Sequence, residues 1–171
     1  GLVHAAEHRN AARIVEVGGG FSTLVARSAI NSCGSATELT VIDPEPRTEV
    51  QAVADRLERH RVENVDRAVL DLDAGDILFI DSSHVVRTGG DLPYLLLDVV
   101  PSLATGTYVH VHDIYLPYGY ASAYARRVWT EQYLLQALLS GSMRYEVVFA
   151  AHLMAREHID AMRAAFGRTV G

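Results

Sequence analysis

The sequence contains no lysine, because all 15 of its basic residues are arginine. Pyridoxal enzymes need a lysine for their Schiff base and P-loop proteins need one for their phosphates, so both classes are excluded. Cys33 is the only cysteine, which rules out an internal disulfide and any zinc site with several cysteines. A lone thiol is typical of the reducing cytoplasm, and the first residues lack the pattern of a secretory signal. We therefore expect a cytoplasmic protein.

Long apolar runs and basic clusters are also missing. The apolar stretch at residues 92–100 is too short and too interrupted to span a bilayer. The net charge of −6 is spread along the chain without a basic stripe, so we expect neither a membrane nor a nucleic-acid partner. A length of 171 residues predicts a single domain over residues 1–171. The sequence leaves open whether that domain forms a homo-oligomer.

Short β-branched runs alternate with helical patterns along the chain, which indicates a parallel sheet covered by helices. Strands are predicted at residues 13–17, 38–43, 76–81, 107–112 and 145–150, with a weak strand near 62–65. Helices are predicted at residues 24–30, 49–60, 92–103, 123–139 and 155–166. This order predicts an α/β fold, a Rossmann-like three-layer sandwich with a mostly parallel central sheet.

Polar side chains stand at the carboxyl ends of four of these strands. They are Glu16, Asp43, Asp81, His112 and Asp113. In an open parallel sheet the carboxyl ends of the strands form the edge where ligands bind. We therefore expect these side chains to share one site.

A glycine-rich segment, EVGGGFST, follows the first strand and precedes a helix. Gly18 to Gly20 let the backbone turn tightly and approach a ligand, and Ser22 and Thr23 are natural caps for the helix. A nicotinamide-binding fingerprint would carry glycine or alanine at position 23, where this chain has threonine.

Two acids indicate which cofactor the turn binds. Asp43 can accept hydrogen bonds from both ribose hydroxyls of either a dinucleotide or S-adenosylmethionine. Glu16 lies directly before the turn, where it would repel a pyrophosphate but suits a ligand that carries an amine and a sulfonium. The charges therefore favour S-adenosylmethionine.

A second cluster combines two carboxylates with two imidazoles. Asp81 and Asp113, helped by His112, are suited to a divalent metal; oxygen ligands favour Mg²⁺, whereas the imidazole favours Mn²⁺, Fe²⁺ or Zn²⁺. An imidazole titrates near neutral pH, so His84 is the candidate general base for a substrate hydroxyl. His110 is expected to pack in the interior, with its ring directed away from His112.

Five segments together resemble a bacterial family of class I S-adenosylmethionine-dependent methyltransferases that is related to the macrocin-type sugar O-methyltransferases. They are EVGGGFSTLVAR, TVIDPEPR, GDILFIDSSHVVRTGGD, VHVHDIYLP and WTEQYLLQALL. The resemblance runs in order from about residue 13 to residue 154, and FIDSSH and HVHDIYLP are its most specific parts.

The resemblance implies a role for several positions. Glu16, Gly18 and Gly20 line the methionine part of the cofactor, Asp43 holds the ribose, and a polar contact to the adenine falls near Glu63 or Asn64. In similar enzymes a metal lies on acids at the positions of Asp81, His112 and Asp113. This chain departs from that pattern at His112, and the base of those enzymes matches His84.

The sequence thus predicts methyl transfer from S-adenosylmethionine to a hydroxyl of a small-molecule acceptor: a sugar, a phenol or a natural product. Asp81 belongs to both the catalytic and the cofactor-binding set. Two alternatives stay open: an NAD-dependent oxidoreductase on the same fold, and a non-catalytic subunit that only binds the cofactor.

Overall fold

The computed structural model describes residues 11–167. Contacts divide the chain into two compact units, one that ends at His112 and one that begins at Asp113. None of the helices within the described range is both long enough and apolar enough to cross a membrane. The prediction of one domain over the whole chain stays a prediction.

The first unit is built on a five-stranded sheet in the order β3-β2-β1-β4-β5, and all of its pairings are parallel. The strands are β1 (Arg13–Val17), β2 (Glu38–Ile42), β3 (Arg56–Glu58), β4 (Ile77–Ile80) and β5 (Tyr108–Val111). The strand order reverses between β1 and β4, which defines the switch point of a doubly wound sheet. The predicted α/β Rossmann-like fold is confirmed.

Helices cover the central strands. Alternate residues of a strand face opposite sides of its sheet, and all four residues of β4 are buried, so both faces of this strand are covered. The first unit contains α1 (Phe21–Ser32), α2 (Thr48–Val53) and α3 (Asp91–Pro93), and a π-helical turn (Tyr94–Val99) and a 3₁₀ turn (Val100–Ser102) extend α3. Pro93 lies in the first turn of that helix, where its missing N–H costs no hydrogen bond. One core cluster joins Ile14, Ala26, Ile30, Leu39, Val41, Val50 and Ile77.

The predicted helix at residues 49–60 is wrong beyond Val53. Asp55 accepts a hydrogen bond from the Leu39 N–H (2.8 Å) and forms an ion pair with Arg27 (2.5 Å), and these contacts hold the chain against β2. The chain then pairs in parallel with β2 as β3, so tertiary contacts override the local helical pattern. The weak strand expected near residues 62–65 is instead a 3₁₀ turn (Val62–Asn64).

The second unit contains a 3₁₀ segment (Ser122–Arg127), α4 (Glu131–Ser140), α5 (Ala151–Glu157) and α6 (Ile159–Phe166). The single helix predicted at residues 123–139 is broken by Val128, whose φ of 56° is left-handed. The helix predicted at 155–166 is interrupted at His158. Residues 145–150 form no strand, because the described residues offer this segment no ladder of backbone hydrogen bonds.

Partly buried aromatic rings cluster in the second unit. The Tyr115 ring lies 5.5 Å from that of Tyr124, which lies 4.9 Å from Trp129. Gln132 is buried, accepts the Tyr115 N–H (3.1 Å) and donates to the Tyr118 carbonyl (3.2 Å). This amide therefore ties the tyrosine-rich loop to α4.

Candidate functional site

The ends of four parallel strands stand level at one edge of the sheet. Beyond the assigned strands, the Asp81 N–H donates to the Val17 carbonyl (2.9 Å) and the His112 N–H donates to the Ile80 carbonyl (2.9 Å). The Asp43 N–H extends the β2–β3 pairing in the same way by donating to the Glu58 carbonyl (3.0 Å). The structure thus confirms that Glu16, Asp43, Asp81 and His112 share the carboxyl edge of one sheet.

Gly18 makes the close approach between the ends of β1 and β4 feasible. Its φ is +90°, and a Cβ atom at this position would lie 1.9 Å from the Asp81 carbonyl oxygen. Gly19 donates its N–H to the Asp43 Oδ2 (2.9 Å), and Gly20 donates its own to the Thr23 Oγ1 (3.0 Å). The glycine turn is therefore held by side chains from the end of β2 and from α1.

Glu16 is a buried carboxylate behind the glycine turn, with 1% of its surface exposed. Its Oε1 accepts a hydrogen bond from the Ser22 hydroxyl, whereas no described residue donates to its Oε2. Burial raises the pKa of Glu16, hydrogen bonds from Ser22 and Thr23 lower it, and the charges of Asp81 and Asp43 raise it; the net shift is upward. A cationic group at this position would relieve the excess of negative charge.

Asp43 is half-buried and held in a fixed orientation. Its Oδ2 accepts the Gly19 N–H (2.9 Å) and its Oδ1 accepts the Glu45 N–H (2.8 Å). Each carboxylate oxygen has two lone pairs, so both oxygens retain one for a ligand hydroxyl. The sequence assigned Asp43 to ribose binding, and this geometry is compatible with that prediction.

Asp81 lies between two imidazoles at the end of β4. Its Oδ1 is 3.3 Å from the Nε2 of His84 and 3.7 Å from the Nδ1 of His112. Burial raises the pKa of Asp81, but the hydrogen bond from His84 and the charges of His112 and His84 together lower it by more. Asp81 is therefore an anion that can orient either ring.

His84 has a left-handed backbone with φ of 59°, which is uncommon for a residue other than glycine. It follows β4 by four residues in an irregular loop, and its side chain is largely shielded. The loop therefore turns back on itself so that the imidazole reaches the carboxylate three residues earlier.

His110 is the residue at this edge that the sequence reasoning placed wrongly. Its ring stacks on Phe79 at 4.5 Å and lies 6.0 Å from the His112 ring, because residues two apart in a strand share a face. Burial lowers the pKa of His110 to about 4, with a further contribution from His112. The spacing of two residues between His110 in β5 and His112 directly after it could therefore have predicted that the two rings lie on the same face.

Of the remaining predicted site residues, Asn64 stands apart from this cluster, whereas Asp113 is adjacent in sequence to His112. Asn64 is exposed at the end of a 3₁₀ turn, and within residues 11–167 no hydrogen bond joins its side chain to the glycine turn or to Asp43. Asp113 follows His112 directly and begins the second unit, with φ of 54°. Their assignments to adenine and metal remain predictions.

A family model matches the part of the chain that carries this site. No curated protein matches the chain. Residues 15–114, which include β2, β4, β5, most of β1 and the polar cluster at their ends, match the family model described as a methyltransferase domain. This match covers more than half of the 171 residues. The chain therefore belongs to this family of methyltransferase domains, which implies S-adenosylmethionine as the methyl donor.

Proposed function

We propose that this protein transfers a methyl group from S-adenosylmethionine to a hydroxyl of a small-molecule acceptor. The acceptor is a sugar, a phenol or a natural product, and His84 is the general base. The observation that carries the proposal is the gathering of Glu16, Asp43 and Asp81 around the glycine turn, at the switch point of the sheet. Three acids at one edge suit a donor that carries two positive groups and a ribose.

Glu16 and Asp43 bind different parts of the donor. The buried Glu16 Oε2 is an acceptor that suits the donor's ammonium group. Asp43, fixed by the Gly19 and Glu45 amides, is suited to the ribose hydroxyls. Ser22 and Thr23 keep the Glu16 carboxylate in place, and Gly18 and Gly20 keep the turn free of side chains.

His84 and Asp81 have different roles in the proton transfer. His84 takes the acceptor's hydroxyl proton, and its Nε2 faces Asp81 at 3.3 Å. Asp81 then stabilises the imidazolium. When bound, the donor supplies an electrophilic methyl on a sulfonium. Attack of the hydroxyl oxygen on this methyl would break the sulfur–methyl bond and give S-adenosylhomocysteine and the methyl ether, with the hydroxyl proton on His84.

Asp81 and His112, with Asp113 next along the chain, are the residues that we propose hold a divalent metal. The Asp81 Oδ1 and the His112 Nδ1 are 3.7 Å apart, a separation at which both can reach one ion. A ligand set of two carboxylates and one imidazole suits Mn²⁺ better than Mg²⁺. The metal would lower the pKa of a bound hydroxyl.

Transfer of a labelled methyl group tests the proposal. Wild-type protein is incubated with methyl-labelled S-adenosylmethionine, Mn²⁺ and a panel of sugars and phenols, and labelled ether is measured. His84→Ala should lower transfer at least ~100-fold, the usual contribution of a general base. His60→Ala, which removes an exposed imidazole after β3, is the matched control and should retain the wild-type rate. Full transfer by His84→Ala would place the base elsewhere.

A further inference from the structure

Asp91 is a buried carboxylate that has no role in the proposed binding of donor or metal. It is the first residue of α3, and 7% of its surface is exposed. Its Oδ2 accepts the Ser83 N–H (2.9 Å) and its Oδ1 accepts the Ser83 hydroxyl (2.7 Å). Attachment at two points fixes both the position and the rotation of Ser83.

The interaction is made by an ionised group. Burial raises the pKa of Asp91, but the hydrogen bonds that it accepts from the loop lower it by more, so the pKa falls below the ordinary value of 3.8. Hydrogen bonds to a charged acceptor are shorter and stronger than those between neutral groups. Asp91 is therefore a firm anchor for an otherwise irregular loop.

Because Ser83 directly precedes His84, fixing Ser83 also restricts the backbone of His84. The Ser83 hydroxyl also lies 3.4 Å from both the N–H and the carbonyl of Val85, so it contacts the chain beyond His84 as well. The left-handed backbone of His84 is unfavourable for a free chain and persists only where its surroundings hold it. The bonds among Ser83, Val85 and Asp91 supply that restraint.

We propose that Asp91 is a positioning residue, which acts through Ser83 to hold the His84 imidazole beside Asp81. The proposal rests on the proposed function of His84 as the base. Asp91 is not among the residues that we propose bind the donor or the acceptor. Its effect on catalysis is entirely through the orientation of His84.

The first test follows the His84 ring and requires no substrate. Imidazole signals are recorded by ¹³C NMR in metal-free wild type, Asp91→Asn and Ser83→Ala, and the His84 signal is identified by its loss in His84→Ala. Both variants should shift and broaden that signal, while the signal of an imidazole remote from Asp81, such as the exposed His60, keeps its position. Ser83→Ala keeps the backbone N–H bond to Asp91, so it provides a milder variant if Asp91→Asn does not fold.

Asp76→Asn is the matched control. Asp76 is 4% exposed and also accepts two backbone N–H groups, from Arg13 (2.9 Å) and Asp73 (3.1 Å), but it precedes β4, at the opposite end from His84. Its replacement should affect stability and leave the His84 signal unchanged. A His84 signal unmoved in both Asp91→Asn and Ser83→Ala would overturn the proposal.

The second test measures methyl transfer. Asp91→Asn should lower kcat by roughly 10-fold to 100-fold, the scale expected for a misplaced catalytic group, without changing the affinity for S-adenosylhomocysteine. The double variant with His84→Ala should be no slower than His84→Ala alone, because the two residues act as a unit. An independent loss in the double variant would overturn the proposal. Absence of S-adenosylhomocysteine binding would contradict the proposed function instead, and the NMR result would still stand.

Discussion

Gly18 and Asp81 directly follow the neighbouring strands β1 and β4 and meet so closely that a Cβ atom on Gly18 would lie 1.9 Å from the Asp81 carbonyl oxygen. This contact joins the glycine turn after β1 to the loop that carries His84 after β4. The proposed donor site and the proposed base are thus fixed to each other through backbone atoms. Glycine is required at this position both for its positive φ and for the missing side chain.

Gly18→Ala should therefore destabilise the fold by about 2–6 kcal/mol, the sum of backbone strain and the clash with Asp81. Gly34→Ala is the control, because Gly34 also has a positive φ (+61°) but a Cβ atom added to it would meet no other atom within 4 Å. It should cost about 1 kcal/mol, from backbone strain alone. Urea unfolding of both variants checks this. Equal losses would show that the contact with Asp81 carries no strain.

His110 should make the protein less stable in acid. Its folded pKa of about 4 lies below the ordinary value of 6.5, so the unfolded chain binds the proton more tightly. This contribution to the free energy of unfolding is present above pH 6.5 and is lost as the pH falls towards 4. His110→Phe keeps a ring on Phe79 and cannot titrate, so its stability should fall less over this window.

Urea unfolding at a series of pH values measures the difference between wild type and His110→Phe. Glu16, whose pKa is raised above 4.5, has the opposite pH dependence, but it is present in both proteins and cancels in the difference. Parallel stability curves between pH 4 and 6.5 would contradict the assignment of a depressed pKa to His110.

His112 should determine which metal the protein prefers. His112→Asp replaces a nitrogen ligand with an oxygen ligand, which favours Mg²⁺ over Mn²⁺. The ratio of Mn²⁺ to Mg²⁺ affinity should fall on the order of tenfold relative to wild type. Calorimetric titration with each chloride salt checks this. An unchanged ratio would show that His112 is not a ligand.

Much of the sheet and its polar edge could be predicted from the sequence. Strands β1, β2, β4 and β5 are short β-branched runs that end in polar residues, and their pattern is local. β3 could not be predicted, because residues 56–58 follow a helical pattern and become a strand only through the contacts of Asp55 with Leu39 and Arg27. Contacts between residues that are far apart in the sequence cannot be read from the local spacing of apolar residues.

The polar cluster was likewise predictable from the sequence only in part. Glu16, Asp43 and Asp81 were placed by their positions at strand ends, which the topology alone brings together. The bonds from Asp91 to Ser83 span eight residues of irregular loop and depend on the path of that loop. A sequence pattern does not specify such a path, so Asp91 emerged only from the structure.

Binding of S-adenosylhomocysteine by isothermal titration calorimetry tests the central claim most directly, with NADH as the competing ligand. Wild type should bind S-adenosylhomocysteine and not NADH. Asp43→Asn and Glu16→Gln should each weaken binding by about 1–3 kcal/mol, the cost of a lost charged hydrogen bond, while the exposed Glu45→Gln control binds normally. Tight binding of NADH without S-adenosylhomocysteine, or unchanged affinity in both variants, would contradict the account.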